Sequence, residues 1–455
     1  MEQTKKDKFN LLKKMLLMIL SIIIFILFLF TEIEKISILF LIEASLLMGF
    51  FAYIVFDTKD RFNPFSFFLL SLFLGFLDIV LVVMDIRIVT VKYDMDIYEK
   101  SLLFIIVWLI SFCIGYVFKV KREKKIRIRE IKFLSDAINM VNMDMMLIIG
   151  VLFQFFISYK IFSTIIAVGG ISTAMNDFAV FRYNNQGYLA TILPLTSIVT
   201  IVLLEKKGKM TSFMSMIYNF ILVTLTGRRG LAINTVIIPL LIYYNYRKKK
   251  ITNKEVIIVC IPIIIFILLI GSIRNQTVKL SDNNAGILNV IARVTNTIQY
   301  GQNVPDLINK MDNGGLEFQG LRNLFNGITG LIPRSIWANK PESDHSLITS
   351  RLVYYEDITY GKPVGAFGFA YLNLGYIGIV LSGLICGKIT NYFYSWVIEN
   401  KSGMAILLYS ILIQSVIIIT NPESQLKIIT LFGVITVLCI IANAKRRKKD
   451  IHEKN

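Results

Sequence analysis

The chain has 455 residues, of which 55% are hydrophobic and only 18% charged, and it carries a net charge of +18. That balance excludes both a soluble globular domain and a disordered chain. It also argues against a nucleic-acid surface, since the basic residues cluster in short runs between apolar stretches instead of interleaving with aromatics on a polar face.

Apolar stretches near the twenty or so residues that cross a bilayer recur along almost the whole length. Starting inside, spans are expected at 13–31, 36–56, 65–84, 101–118, 145–167, 188–204, 211–226, 231–246, 254–272, 365–386, 403–420 and 426–443. The expected fold is therefore all-α: a polytopic integral membrane protein, one membrane domain over 1–455, with about 12 transmembrane helices and both termini cytoplasmic. Under that topology the basic runs Lys119 to Lys132, Arg247 to Lys254 and Lys445 to Lys449 fall inside, facing anionic headgroups. The first apolar run, Met15 to Phe30, meets Glu32 without a small-residue cleavage site and reads as an uncleaved span.

Two spans are unusually polar. The third carries Asp78 and the seventh is rich in Ser, Thr and Asn, which fits helices facing a bundle interior or an aqueous cavity. Cys113, Cys260, Cys386 and Cys439 all lie in apolar segments without ligand-like spacing and read as small apolar fillers.

Three outer segments are large enough to carry chemistry. Asp85 to Lys100 contains Asp94-Met95-Asp96, an acidic pair open to a hard cation but flanked by Lys92, Glu99 and Lys100 like any solvated loop. Gly169 to Gly187 is Gly- and Asn-rich and holds Arg182. Residues 273–364 form the large outer loop, longer than connectors usually run without function or local structure. Within it, Ile287, Val290, Ile291, Val294 and Ile298 recur at helical spacing, and Leu321, Leu324, Phe325 and Ile328 suggest a second short helix.

The most unusual feature is Thr226-Gly227-Arg228-Arg229-Gly230, an arginine pair in a very short outer turn. Arginine beside hydrocarbon costs a few kcal/mol unless an anion or a wet cavity receives it. Flanking glycines let backbone amides approach a ligand, and a guanidinium suits bidentate contact with phosphate. A pair snorkelling among headgroups is the structural alternative. Arg274 lies just beyond the ninth span, where it either anchors the helix end or adds a second cation. Leu331 to Pro341 presents Arg334, Trp337 and Lys340 in a proline-bounded turn: phosphate donors beside an aromatic plate, or an interfacial Trp anchor. His345 is the one histidine outside the C-terminal tail, either a surface residue or a base for a hydroxyl proton. Glu317, Glu342, Glu356 and Asp357 are alternative bases. Together these features point to an enzyme acting at the outer face on an anionic, lipid-borne substrate.

Thr226 to Gly230 resembles the Ser-Arg-Gly signature of bacterial oligosaccharide repeat-unit polymerases and O-antigen ligases, with Arg228 in place of the serine. Pro333-Arg334, Trp337 and Lys340-Pro341 are similar to the large-loop motif of the polymerases, and Tyr371, Asn373 and Gly375 match their Tyr-x-Asn-x-Gly pattern. The resemblance covers roughly residues 220 to 390. It implies a membrane glycosyltransferase of the bacterial cytoplasmic (inner) membrane, acting on a polyprenyl-diphosphate-linked oligosaccharide among membrane lipids, with no nucleic acid, cofactor or metal. Arg229 and Arg274, assisted by Arg228 and Arg334, would hold the diphosphate. Trp337 and Lys340 would meet sugar or phosphate, and His345 would be the base. Chain-length control usually needs a partner, a chain-length regulator protein. The rival readings are an O-antigen-ligase-like transferase, which shares the large outer loop, and a lipid-linked oligosaccharide flippase. The flippase would be expected to have short outer loops and charge along a central cavity.

Overall fold

Every regular element described in the computed structural model is helical. The described residues are 62–117, 143–167, 169–170, 196–206, 209–225, 233–247, 250–252, 299–323, 336–339, 341–342, 345–355 and 361–400, with single positions at 255, 258, 261–262, 265, 332, 406 and 409–410. The first two predicted spans and the twelfth lie outside them, as does the expected helix around Ile287 to Ile298.

Apolar runs produce α1 (Pro64–Val83), α2 (Met95–Val117) and α3 (Met143–Ala167). They are followed by α4 (Thr196–Lys206) and α5 (Lys209–Thr224). A π-helical turn, Ile233–Ile237, leads into α6 (Ile238–Arg247). Two helices of the long connection come next, α7 (Tyr300–Asp312) and α8 (His345–Val353), and then α9 (Gly365–Asn400). Among the described residues, three helices are long and apolar enough to cross a membrane: α2, α3 and α9. The tenth span, expected over 365–386, lies within a longer helix that continues to Asn400 and breaks at Leu374 and Gly375. Beyond 386 the helix stays rich in aromatics but carries Lys388, Asn391 and Glu399, which lower its hydropathy without ending it.

The most extensive helix pair joins α2 and α9, and small residues make it close. Gly383 and Gly387 stand four positions apart on α9; a Cβ on Gly383 would lie 2.7 Å from the Trp108 carbonyl, and one on Gly387 would overlap the Phe112 carbonyl. Opposite them, a Cβ on Gly115 would strike the backbone of Leu384. Backbone approach of this kind is the usual basis of helix association where lipid removes the hydrophobic drive. The seam is locked by Trp108 Nε1 donating to Ser382 Oγ at 2.8 Å and by the Asn391 amide donating to the Tyr116 carbonyl.

A second polar seam explains the composition of the seventh span. The Asn219 amide of α5 donates to the Thr196 carbonyl at 3.1 Å and to Thr200 Oγ1 at 3.0 Å, and its Oδ1 accepts from Gln154 Nε2 of α3 at 2.7 Å. Its Ser, Thr and Asn residues thus tie α5 to α4 and α3, while Phe213, Met214 and Ile221 face outward, a surface suited to hydrocarbon.

Candidate functional site

The long connection folds back onto one end of the bundle through α7. Asp78 of α1 is fully buried and forms an ion pair with Arg87, itself almost fully enclosed. Its other carboxylate oxygen accepts from Gly301 N at 2.8 Å, at the first turn of α7. A carboxylate there is favoured by the unpaired amides and the dipole of the helix start. A side chain on Gly301 would lie 2.7 Å from the Asp78 carbonyl, so only glycine permits this approach. The polar residue in the third span therefore anchors the connection.

Asn303, Asp306 and Lys310 recur at i, i+3 and i+7, one polar stripe on α7. Asn303 donates to the Pro363 carbonyl at 2.9 Å. Buried Asp306 accepts from the Tyr93 hydroxyl at 2.7 Å and from the Tyr354 hydroxyl. Lys310 Nζ donates to the Leu352 and Val353 carbonyls at 2.9 and 3.0 Å, capping the C-terminus of α8. Asp312 closes the stripe with a bidentate pair to Lys100 of α2, at 2.6 and 2.8 Å.

The ammonium of Lys362 lies 3.3 Å from the centre of the Tyr354 ring, a cation–π contact on a phenol whose proton is given to Asp306. Burial lowers the affinity of Lys362 for its proton, partly offset by Asp306. Burial, then the neighbouring Asp306 charge, push the Tyr93 phenol well above its ordinary value. The Tyr93 phenol therefore stays a protonated donor near neutral pH.

The Tyr371, Asn373 and Gly375 motif acquires a structural meaning here. Gly375 adopts φ 62 and ψ −149, a conformation open essentially to glycine alone. The break frees two carbonyls: Leu372 O accepts from Gln319 N at 3.0 Å and Asn373 O from Gly320 N at 2.9 Å. Asn373 is buried; its amide donates to the Phe369 carbonyl and its Oδ1 accepts from Asn323. Residues 318–323 are thus clasped onto the helix break. Gly375→Ala is expected to cost about 1–3 kcal/mol from backbone strain, with a methyl 3.3 Å from the Phe318 ring. Limited proteolysis of residues 313–323 should then be faster, and unchanged cleavage would show that the clasp does not depend on this glycine.

The described residues include part of the set expected from sequence. His345 opens α8, is 1% exposed, and meets Phe369 edge-on at 5.0 Å between ring centres. Trp337 is 42% exposed. Arg228, Arg229, Arg274, Arg334 and Lys340 lie outside the described residues, as do Glu356 and Asp357. Glu317 is exposed, and Glu342 approaches Arg351 at 3.9 Å. Asp94 and Asp96 are both exposed, and no cluster of three His, Cys, Asp or Glu suited to a metal occurs among the described residues. The Asp306 network of Tyr93, Tyr354 and Lys362 was missed by sequence reading, although the polar stripe on α7 carried the signal.

These helices, glycine seams and a re-docked polar connection define a multi-pass helical membrane protein. The chain belongs to the putative O-antigen polymerase family, whose profile matches residues 60–422. It is 24% identical over 237 residues to the O-antigen polymerases of Salmonella typhimurium and Salmonella typhi, a match covering 50% of this chain and 54% of each relative. The chain thus spans about half the length of the curated relatives it matches. No solved structure matches it.

Proposed function

We propose that the protein is a polysaccharide repeat-unit polymerase of the bacterial cytoplasmic membrane, joining undecaprenyl-diphosphate-linked oligosaccharides at the outer face. The observation that carries this reading is the family match over 60–422, which spans the arginine turn, the long connection and the Gly375 clasp. In the proposed reaction an acceptor sugar hydroxyl attacks the anomeric carbon of the donor. The bond from that carbon to the diphosphate oxygen breaks, and undecaprenyl diphosphate leaves with its electron pair. Arg229 and Arg274, with Arg228, Arg334 and Lys340, neutralise the leaving diphosphate; fixed charge at a partly dehydrated interface is worth more than in water. Trp337 offers its exposed ring to a sugar.

His345 takes the hydroxyl proton in this scheme. Because it is enclosed at the start of α8, the acceptor reaches it only after a rearrangement that exposes the imidazole. At matched expression, His345→Gln is expected to lower polymerisation by about 10²–10⁴-fold, the usual contribution of a positioned base. Polymer output within a few-fold of wild type would remove the base and leave His345 a packing residue against Phe369.

The test of the whole reading is complementation of a deletion strain, followed by gel analysis of surface and lipid-linked glycans. Restored long chains, replacing single units exposed at the outer leaflet, support the polymerase. Long lipid-linked chains that accumulate without the protein and never reach an acceptor indicate a ligase. Single units trapped on the inner leaflet indicate a flippase.

A further inference from the structure

Beside the Gly375 clasp, an aromatic surface is left open that the proposed reaction does not use. Tyr371 is nearly buried and packs against Phe104, with ring centres 4.3 Å apart. Phe318 and Tyr376 stand edge-on to it at 5.8 and 5.6 Å. Yet Phe318 is 58% exposed and Tyr376 43% exposed. Phe318 is not a loose side chain. The next two residues are bonded through Gln319 N and Gly320 N to the carbonyls freed at the helix break, and its ring edge lies against Gly375. The fold fixes the backbone beside an apolar ring and leaves more than half of that ring's residue exposed.

The surroundings are mixed: Leu321 and Ile377 are exposed beside the two rings, and polar groups stand at one edge. The Lys100–Asp312 pair lies at the same end of α2, its ammonium 5.7 Å from the Tyr371 ring centre, and both partners are partly exposed. Glu317, next in the chain to Phe318, is exposed as well. A ring serving only as an interfacial anchor would sit among cations that attract lipid phosphates. Here the ammonium beside the Tyr371 ring, Lys100, is already paired with Asp312, and the exposed Glu317 carboxylate is next to Phe318 in the chain, so this edge attracts an anionic headgroup less than a free ammonium would. An aromatic plate with a phenol, a carboxylate and an ammonium at its edge combines an apolar face with a few orienting polar groups. That combination matches a sugar ring, whose C–H face is apolar and whose rim carries hydroxyls.

We propose that Phe318, Tyr376 and the Lys100–Asp312 pair form a glycan subsite that takes an uncharged sugar ring of the repeat unit. This rests on the polymerase reading for the identity of the glycan. The subsite holds a sugar away from the diphosphate, so it contributes to affinity for the oligosaccharide and not to the chemical step.

The test is saturation-transfer NMR on the full chain in lipid nanodiscs, using the repeat-unit oligosaccharide released from its lipid by mild acid. Sugar-ring protons should receive saturation from the wild type. Phe318→Leu, which keeps an apolar side chain against Gly375 but removes the ring, should bind about tenfold more weakly, within the range of an aromatic contact. Phe318→Trp should restore binding to near wild type. Equal affinity of the leucine variant and the wild type, or no saturation of wild-type contacts, overturns the subsite and leaves Phe318 an interfacial anchor. Polymer synthesis from lipid-linked units is measured separately on the same preparation. Its absence would sink the polymerase reading, whereas loss of the Phe318 effect alone sinks only the subsite.

Discussion

Arg87→Leu is expected to destabilise the protein by about 3–5 kcal/mol, the cost of leaving one member of a buried ion pair uncompensated. Asp78 is fully enclosed in α1, with Arg87 and Gly301 N as its partners. Without the guanidinium, the carboxylate must either stay charged in an apolar bundle or take up a proton. Either outcome weakens the anchor that holds α7 to α1. The double variant Asp78→Asn with Arg87→Leu should recover much of the loss, since Asn still accepts from Gly301 N and no charge is buried. Thermal melting of the detergent-solubilised protein decides this. A single variant as stable as wild type, or a double variant worse than the single, would show that the pair is not the anchor.

Arg229→Ala is expected to insert and accumulate normally while polymer output falls on the order of a hundredfold or more, comparable to removing one preorganised charge-stabilising donor from an active site. Arg228→Ala tests the division of labour within the Thr226 to Gly230 turn, where this chain has arginine at the position the resembling signature gives to serine. Arg229→Lys keeps the charge but loses the bidentate fork, so it should recover only part of the activity. Long-chain polymer from Arg229→Ala at matched protein level would remove the diphosphate clamp from the mechanism.

Much of the bundle was legible because apolar length is a local property. Expected spans at 65–84, 145–167 and 211–226 correspond to Pro64–Val83, Met143–Ala167 and Lys209–Thr224 within a few residues. The α2–α9 seam is half readable, since Gly383 and Gly387 stand at the spacing that lets helices approach, but spacing on one helix does not name its partner. Helix α7 was legible only in part: Tyr300, Val304, Leu307, Ile308 and Met311 recur at helical spacing, but its polar positions do not announce their burial. Its buried face includes Asn303, Pro305 and Asp306, whose reasons for burial lie far away at Pro363, Tyr93 and Tyr354. A polar residue buried by a distant partner reads locally as a loop residue. The same holds for Asp78, which hydropathy flags as an anomaly and only Arg87 and Gly301 explain. The Tyr371-Asn373-Gly375 pattern was visible as a motif. Its role as a helix break clasping residues 318–323 required the positive φ at Gly375 and the two carbonyls it frees.

The most direct test of the polymerase reading is reconstitution of the purified full chain in proteoliposomes with lipid-linked repeat units alone, without nucleotide sugars and without a separate acceptor. The account predicts a ladder of lipid-linked oligomers, with one undecaprenyl diphosphate released for each repeat added. Repeat units that stay single, whether merely moved between leaflets or used only when another acceptor is supplied, would contradict it.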